Sequence, residues 1–151
     1  MAATTDGQRF PYVAVTNARG QVALRPMLPL VLANRGNTRS DSGLVDSGAD
    51  VNVLPYALGV ELGGVWEEQR TTVELSGNLA RYPARGVIVS ATVGHFPPVR
   101  LAFAWTRADN VPLVLGQVNF FAEFDVCFFR ARRTFEVRLK RNEENDPARI
   151  D

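Results

Sequence analysis

The 151-residue sequence predicts one mostly-β domain with a single short helix in its C-terminal half. Helical periodicity is scarce. Nine prolines and twelve glycines are spread along the whole length. Between them lie short runs rich in Val, Leu, Ile, Phe and Thr, the pattern of strands joined by turns.

The elements follow in order. Residues 1–10 are expected to be flexible. The folded domain is expected over 11–140, followed by a disordered tail, RNEENDPARID (141–151), with too little apolar content to pack. Met27 to Ala33 places Leu28, Leu30 and Leu32 on one face of a strand, which ends in the polar turn Asn34-Arg35-Gly36-Asn37. Thr71 to Leu75 is a strand, Ser76-Gly77-Asn78 a turn, and Leu79 to Arg85 the antiparallel return. Further strands are expected at Val87 to Val93, Val99 to Trp105 and Val111 to Leu115. After Gly116, Val118, Phe121 and Ala122 fall at helical spacing over about two turns. Asp125 to Phe129 and Thr134 to Leu139 then alternate around Arg130-Ala131-Arg132-Arg133 as a hairpin.

Composition narrows the function classes. With 17 basic and 16 acidic residues the net charge is +1, which offers no electrostatic reason to bind nucleic acid or an acidic membrane. A single cysteine, Cys127, excludes an intrachain disulfide and a four-cysteine zinc site. No metal or cofactor is expected. No apolar run approaches the ~20 residues that span a bilayer. The N-terminus lacks the basic start and apolar stretch of a secretory signal. Its prolines and lack of helical periodicity argue against a transit peptide, so a cytoplasmic location is expected.

The segment SDSGLVDSGADVNVL (40–54) contains Asp-Ser-Gly twice, at Asp41-Ser42-Gly43 and Asp46-Ser47-Gly48. The first copy follows a polar stretch and reads as a hairpin turn. The second is flanked by Leu44-Val45 and by Ala49, Val51 and Val53-Leu54, so Asp46 is expected to be partly buried, and a buried carboxylate needs a reason. One reason is an Asx turn, with the side chain satisfying nearby backbone amides. A calcium loop starting at Asp46 fails in detail. An EF-hand would need a ligand at 48, a glycine at 51 and a glutamate at 57, where the chain has Gly48, Val51 and Ala57.

The stretch LVDSGADVNVLP resembles the active-site segment of aspartic proteases: two apolar residues, Asp, Thr or Ser, Gly, Ala. VPLVLGQVNFFAEFDV resembles a second landmark of the retroviral-type (retropepsin-like) family, an apolar strand ending in Gly before a short helix. The resemblance runs from about Leu24 to Leu139. It implies a single-lobe retropepsin-like fold, with the Ser76-Gly77-Asn78 hairpin as the flap. It also implies an aspartic endopeptidase acting on protein or peptide substrates. Only one Asp-Ser-Gly has the apolar context, so the resemblance implies a homodimer with one Asp46 from each subunit. Asp41, only five residues upstream on the same chain, is a poor second acid.

By the same resemblance Asp46 is catalytic, and Ser47 braces the facing loops. Gly48 lets a substrate backbone approach. Ala49 and Asp50 line the site, with Asp50 accepting hydrogen bonds from a peptide backbone. Ser76, Gly77 and Asn78 form the mobile tip over the substrate, and Gly116 packs beneath the catalytic loop. Gly77 also reads as a plain turn residue, and Asp50 as an exposed turn acid. Three features depart from, or only loosely match, the retroviral pattern. Gln117 stands where an Arg is common, and Arg25-Pro26 lies further from Asp46 than the matching Arg-Pro. The C-terminal end forms a hairpin in place of an interleaving strand. The alternative is a non-catalytic dimerisation or peptide-binding module on the same fold. A Ser–His hydrolase would depend on His95, the only histidine, which sits in a turn-like Gly-His-Phe-Pro-Pro with no G-x-S-x-G elbow in the chain. Cys127, between Val126 and Phe128, is expected to be at least half-buried, with Trp66, Trp105 and the phenylalanines from Phe120 to Phe129 in core or dimer contacts.

Overall fold

The computed structural model describes residues 7–141. Among them, twelve strands and two short helices follow in chain order: β1 (Gln8–Pro11), β2 (Val13–Thr16), β3 (Val22–Arg25), β4 (Met27–Asn34), β5 (Asn37–Val45), β6 (Asn52–Leu54), α1 (Tyr56–Glu61), β7 (Thr72–Val73), β8 (Ala84–Thr92), β9 (Val99–Thr106), β10 (Val114–Leu115), α2 (Phe120–Glu123), β11 (Phe124–Phe129) and β12 (Thr134–Leu139). The main sheet runs β4-β5-β10-β6-β9-β8-β7, and a further β4–β8 pairing closes it on itself. A second sheet has the order β1-β12-β11, and β2 and β3 form a separate ribbon.

The hairpin of β4 and β5 follows the sequence pattern. Leu28, Leu30 and Leu32 point inward and are 0–4% exposed. Arg35 and Gly36 have φ of 49° and 84°, the positive values of a two-residue type I′ turn, whose twist matches that of the strands. The expected turn at Asp41-Ser42-Gly43 is therefore absent. These residues lie inside β5, with Asp41 opposite Leu30 and Gly43 opposite Leu28. Gly43 serves packing, since a Cβ there would lie 2.8 Å from Leu115 Cγ. Asp41 is exposed, and its Oδ1 accepts the Ser42 amide at 2.7 Å.

Helix α1 was not expected, so the described residues hold two short helices, not one. Pro55 precedes it, Leu58 is buried on it, and Leu62 is buried just beyond its end. A proline followed by apolar residues four apart is a usable helix-start signal. The helix lies close against β9, where a Cβ on Gly59 would strike the Trp105 indole. Helix α2 is a single turn, shorter than expected, and it buries Phe120 rather than the predicted stripe. Val118 is 56% exposed because residues 116–118 are bonded across to the 46–52 segment and cannot coil.

The long ladder from Ala84↔Thr106 to Ala91↔Val99 joins β8 to β9. The expected hairpin before it has a stem of only two pairs, Thr72↔Arg85 and Val73↔Ala84. Residues 74–83 leave the ladder as an irregular loop with a 3-10 turn at Gly77–Leu79, and Gly77 has φ of 63°. The terminal hairpin of β11 and β12 forms as expected, with Arg133 in the left-handed region at φ 59°. Its alternation places Cys127 on the outer face, so the thiol is exposed rather than half-buried. Gln8 to Phe10, expected to be loose, are the ordered edge strand β1, paired with Phe135 to Val137 of β12. Residues 1–6 and 142–151, the rest of the expected flexible ends, lie outside the described residues.

Trp105 centres the core under α1. Its ring stacks on Tyr56 at 5.7 Å and meets Trp66 edge-on at 5.2 Å. Phe120 and Phe124 stack at 5.2 Å and join α2 to the terminal sheet. Offset and edge-on aromatic pairs of this kind contribute ~1 kcal/mol each beyond the area they bury.

Candidate active site

Asp46 stands where β5 ends. Strand β10 runs parallel to β5, with Val114 beside Leu44 and Leu115 beside Val45. The amides of Leu44 and Asp46 donate to Leu113 O and Leu115 O at 2.8 and 3.0 Å, and the Val45 amide donates to Pro26 O at 3.0 Å. The backbone of Asp46 is thus fixed on both sides. The chain then turns, with the Ala49 amide donating to Asp46 O at 3.1 Å. The Gly48 amide donates to Asp46 Oδ1 at 2.9 Å. This is the Asx turn that the sequence allows, and it orients the carboxylate. Asp46 is half-buried, while Ser47, Gly48 and Asp50 are exposed.

A second segment lies across this turn. The amides of Gln117 and Val118 donate to Ala49 O and Asp50 O at 2.8 and 2.9 Å, and Val118 O accepts the Asn52 amide at 2.9 Å. Gln117 Nε2 donates to Ser47 O at 2.8 Å. Gly116 is where the two segments touch. A Cβ there would collide with Val51 O and sit 2.7 Å from Ala49 O.

Asn52 ties the layers together, a role that sequence reasoning missed. It is fully buried. Its Oδ1 accepts the Gly116 amide at 2.7 Å, and its Nδ2 donates to Ala102 O at 2.9 Å and Asn119 Oδ1 at 3.2 Å. The available signal was an amide side chain between Val51 and Val53, since a polar group in an apolar run is buried only with partners.

A cavity of about 210 Å³ opens beside Asp46. Ala49 and Asp50 continue its floor, and Val51, Val53 and Val114 form its apolar wall. Glu74, Leu75, Ser76 and Leu79 of the 74–83 loop border it on the other side. The structure therefore brings Asp46, Ala49, Asp50 and Ser76 to one cavity. Gly77 and Asn78 line a neighbouring depression with Ala80 and Arg81 instead. Glu74, Leu75 and Leu79 are additions that the sequence reading did not assign to the site. His95 is an exposed turn residue far along the chain from this cavity. Among the described residues no group of three or more His, Cys, Asp or Glu could hold a metal ion, and no helix is long and apolar enough to cross a membrane.

No protein-family model matches the sequence, and no curated protein matches it. Among solved structures, a retropepsin-like aspartic protease from Rickettsia conorii is similar, with a TM-score of 0.56 and 12% sequence identity. The match covers 88% of this chain and 99% of that one. At that identity the likeness speaks to architecture alone, and it agrees with the closed, mostly-β sheet described above: the chain has the retropepsin-like fold.

Proposed function

We propose that the protein is an aspartic endopeptidase in which a water is activated between two Asp46 carboxylates, one from each subunit of a homodimer. The observation that carries this reading is the placement of Asp46: its backbone is fixed by β10, its carboxylate is oriented by the Gly48 amide, and it faces a cavity. Among the described residues one acid is placed in this way, and the chemistry needs two.

Two carboxylates at close range cannot both ionise, so they share one proton. The charged one takes a proton from the water as the water oxygen attacks the peptide carbonyl. The protonated one donates to the carbonyl oxygen. Collapse of the tetrahedral intermediate breaks the C–N bond, and a carboxyl group delivers a proton to the departing amine. No covalent intermediate forms. Ser47 braces the facing turns, Gly48 and Ala49 leave room for an extended peptide, and Asp50 accepts from its backbone. The 74–83 loop acts as the flap, with Ser76 over the cavity and Gly77 and Asn78 at the tip, where Gly77 allows movement. Gly116 and Asn52 hold the catalytic turn in place.

Peptide cleavage tests this directly. The wild type and Asp46→Asn are incubated with a mixed peptide library between roughly pH 4 and 7, where a shared-proton pair is competent, and products are read by mass spectrometry. Cleavage by the wild type alone supports the proposal. Equal cleavage by both proteins refutes the role of Asp46. No cleavage by a wild type shown by sedimentation to be a dimer favours a non-catalytic dimerisation or peptide-binding module on the same fold.

A further inference from the structure

The cavity beside Asp46 combines apolar walls with two carboxylates that form no ion pair among the described residues. Val51, Val53, Val114, Leu75 and Leu79 give its lining an apolar surface suited to an aliphatic stem. Asp50 enters from the catalytic turn and Glu74 from the 74–83 loop. Both are exposed. Among the described residues the four ion pairs are Arg9–Glu136, Arg39–Glu61, Arg138–Glu136 and Lys140–Glu123, so neither Asp50 nor Glu74 is paired. Neither carboxylate accepts a side-chain hydrogen bond among those residues. The one cation of the loop, Arg81, lines an adjacent depression with Glu74 without pairing with it; its guanidinium lies 5.0 Å from the centre of the Tyr82 ring and Nη2 donates to the Tyr82 hydroxyl at 3.2 Å.

We propose that this cavity selects substrates carrying an arginine or lysine side chain beside the bond to be cut, with Glu74 and Asp50 as the residues that read its charge. The inference rests on the endopeptidase reading for the words "to be cut"; the charge preference itself is a property of the cavity. A long basic side chain lays its methylenes along apolar surface and keeps its charged end among polar groups. Two carboxylates from different elements fit that end, and arginine can engage both through its fork of donors. An acidic side chain entering the same cavity meets like charge from Asp50, Glu74 and the ionised member of the Asp46 pair, so it is rejected rather than merely bound less well.

The test uses the full chain and three matched fluorescent peptides that differ only in carrying Arg, Gln or Glu at one position. Binding is measured by anisotropy on the Asp46→Asn protein, which holds peptides without cutting them, and kcat/KM is measured on the wild type. The expected order is Arg, then Gln, then Glu, with about a tenfold gap between the extremes at low salt that narrows when salt is raised to ~0.5 M. Glu74→Lys is expected to reverse the order. Glu61→Gln, which removes an acid of α1 away from the cavity, is expected to leave it unchanged. Equal binding of the Arg and Glu peptides overturns the proposal, as does a preference that survives Glu74→Lys, or the absence of peptide binding. Asp46-dependent cleavage that ignores charge sinks this inference and leaves the endopeptidase standing. Charge-selective binding without any cleavage does the reverse.

Discussion

Asn52 Oδ1 accepts the Gly116 amide at 2.7 Å, joining two segments 64 residues apart beneath the Asp46 turn. The asparagine is fully buried and its amide nitrogen is also bonded, to Ala102 O and Asn119 Oδ1. Asn119 extends the chain of bonds, accepting the Ala102 amide at 2.9 Å and donating to Arg100 O at 3.0 Å. Satisfied networks of this kind rigidify the elements that they link. Asn52→Ala leaves the Gly116 amide without its acceptor and opens a small void, and is expected to cost about 3 kcal/mol. Urea denaturation measures the loss. Amide exchange at Gly116 separates the local effect from the global one, because that amide is expected to lose protection disproportionately.

The two glycines of the site have different tasks. A Cβ on Gly116 would meet the carbonyl oxygens of Val51 and Ala49, which are backbone atoms and cannot step aside cheaply. Gly116→Ala is therefore expected to destabilise by about 2–3 kcal/mol and to abolish cleavage with the fold's loosening. A Cβ on Gly48 would meet only Asp46 Oδ1, at 3.3 Å. Gly48→Ala is expected to change stability by less than ~1 kcal/mol while still crowding the peptide backbone. Parallel losses of stability in the two variants would show that Gly48 is there for packing.

Asp46→Asn separates chemistry from structure. The side-chain oxygen that accepts the Gly48 amide survives the substitution, because an asparagine offers the same acceptor. The turn is expected to persist, with a change in thermal stability within ~1 kcal/mol, while peptide cleavage disappears. Unfolding of the Asp46→Asn variant would mean that the carboxylate is needed for structure, and the loss of cleavage would then say nothing about catalysis.

Much of this was legible because local pattern and tertiary role agree. Leu28, Leu30 and Leu32 alternate in sequence and point into one core. Asp46 stood out because a strand-forming apolar run continues on both sides of it. The misreadings arise where the same local signal serves two ends. Asp41-Ser42-Gly43 spells a turn as well as Asp46-Ser47-Gly48 does, but Leu115 packs on Gly43 and keeps that copy extended. Cys127 lies in a strand whose alternation was visible and whose phase was not, since either face could have been the inner one. The bond between Asn52 and Gly116 depends on how distant segments meet, and no periodicity encodes that.

The β4–β5 turn offers a test that is independent of function. Arg35 sits at φ 49°, where a residue with a Cβ is strained, and the asparagine favoured at this position of a type I′ turn tolerates that region better. Arg35 is exposed, so the exchange sacrifices little packing. Arg35→Asn is expected to raise stability by ~0.5–1 kcal/mol. Gly36 has φ of 84° with nothing within 4 Å of a Cβ position, so Gly36→Ala meets no steric contact and isolates the conformational cost, about 1–2 kcal/mol. The effects should reach the whole domain, because β4, which leads into the turn, carries the inward leucines. Asn34 Nδ2 also anchors the turn region to Leu62 O, just beyond α1, at 2.9 Å. Chemical denaturation of both variants against the wild type reads the two signs. A destabilised Arg35→Asn together with a neutral Gly36→Ala would mean that the chain turns in solution by another geometry.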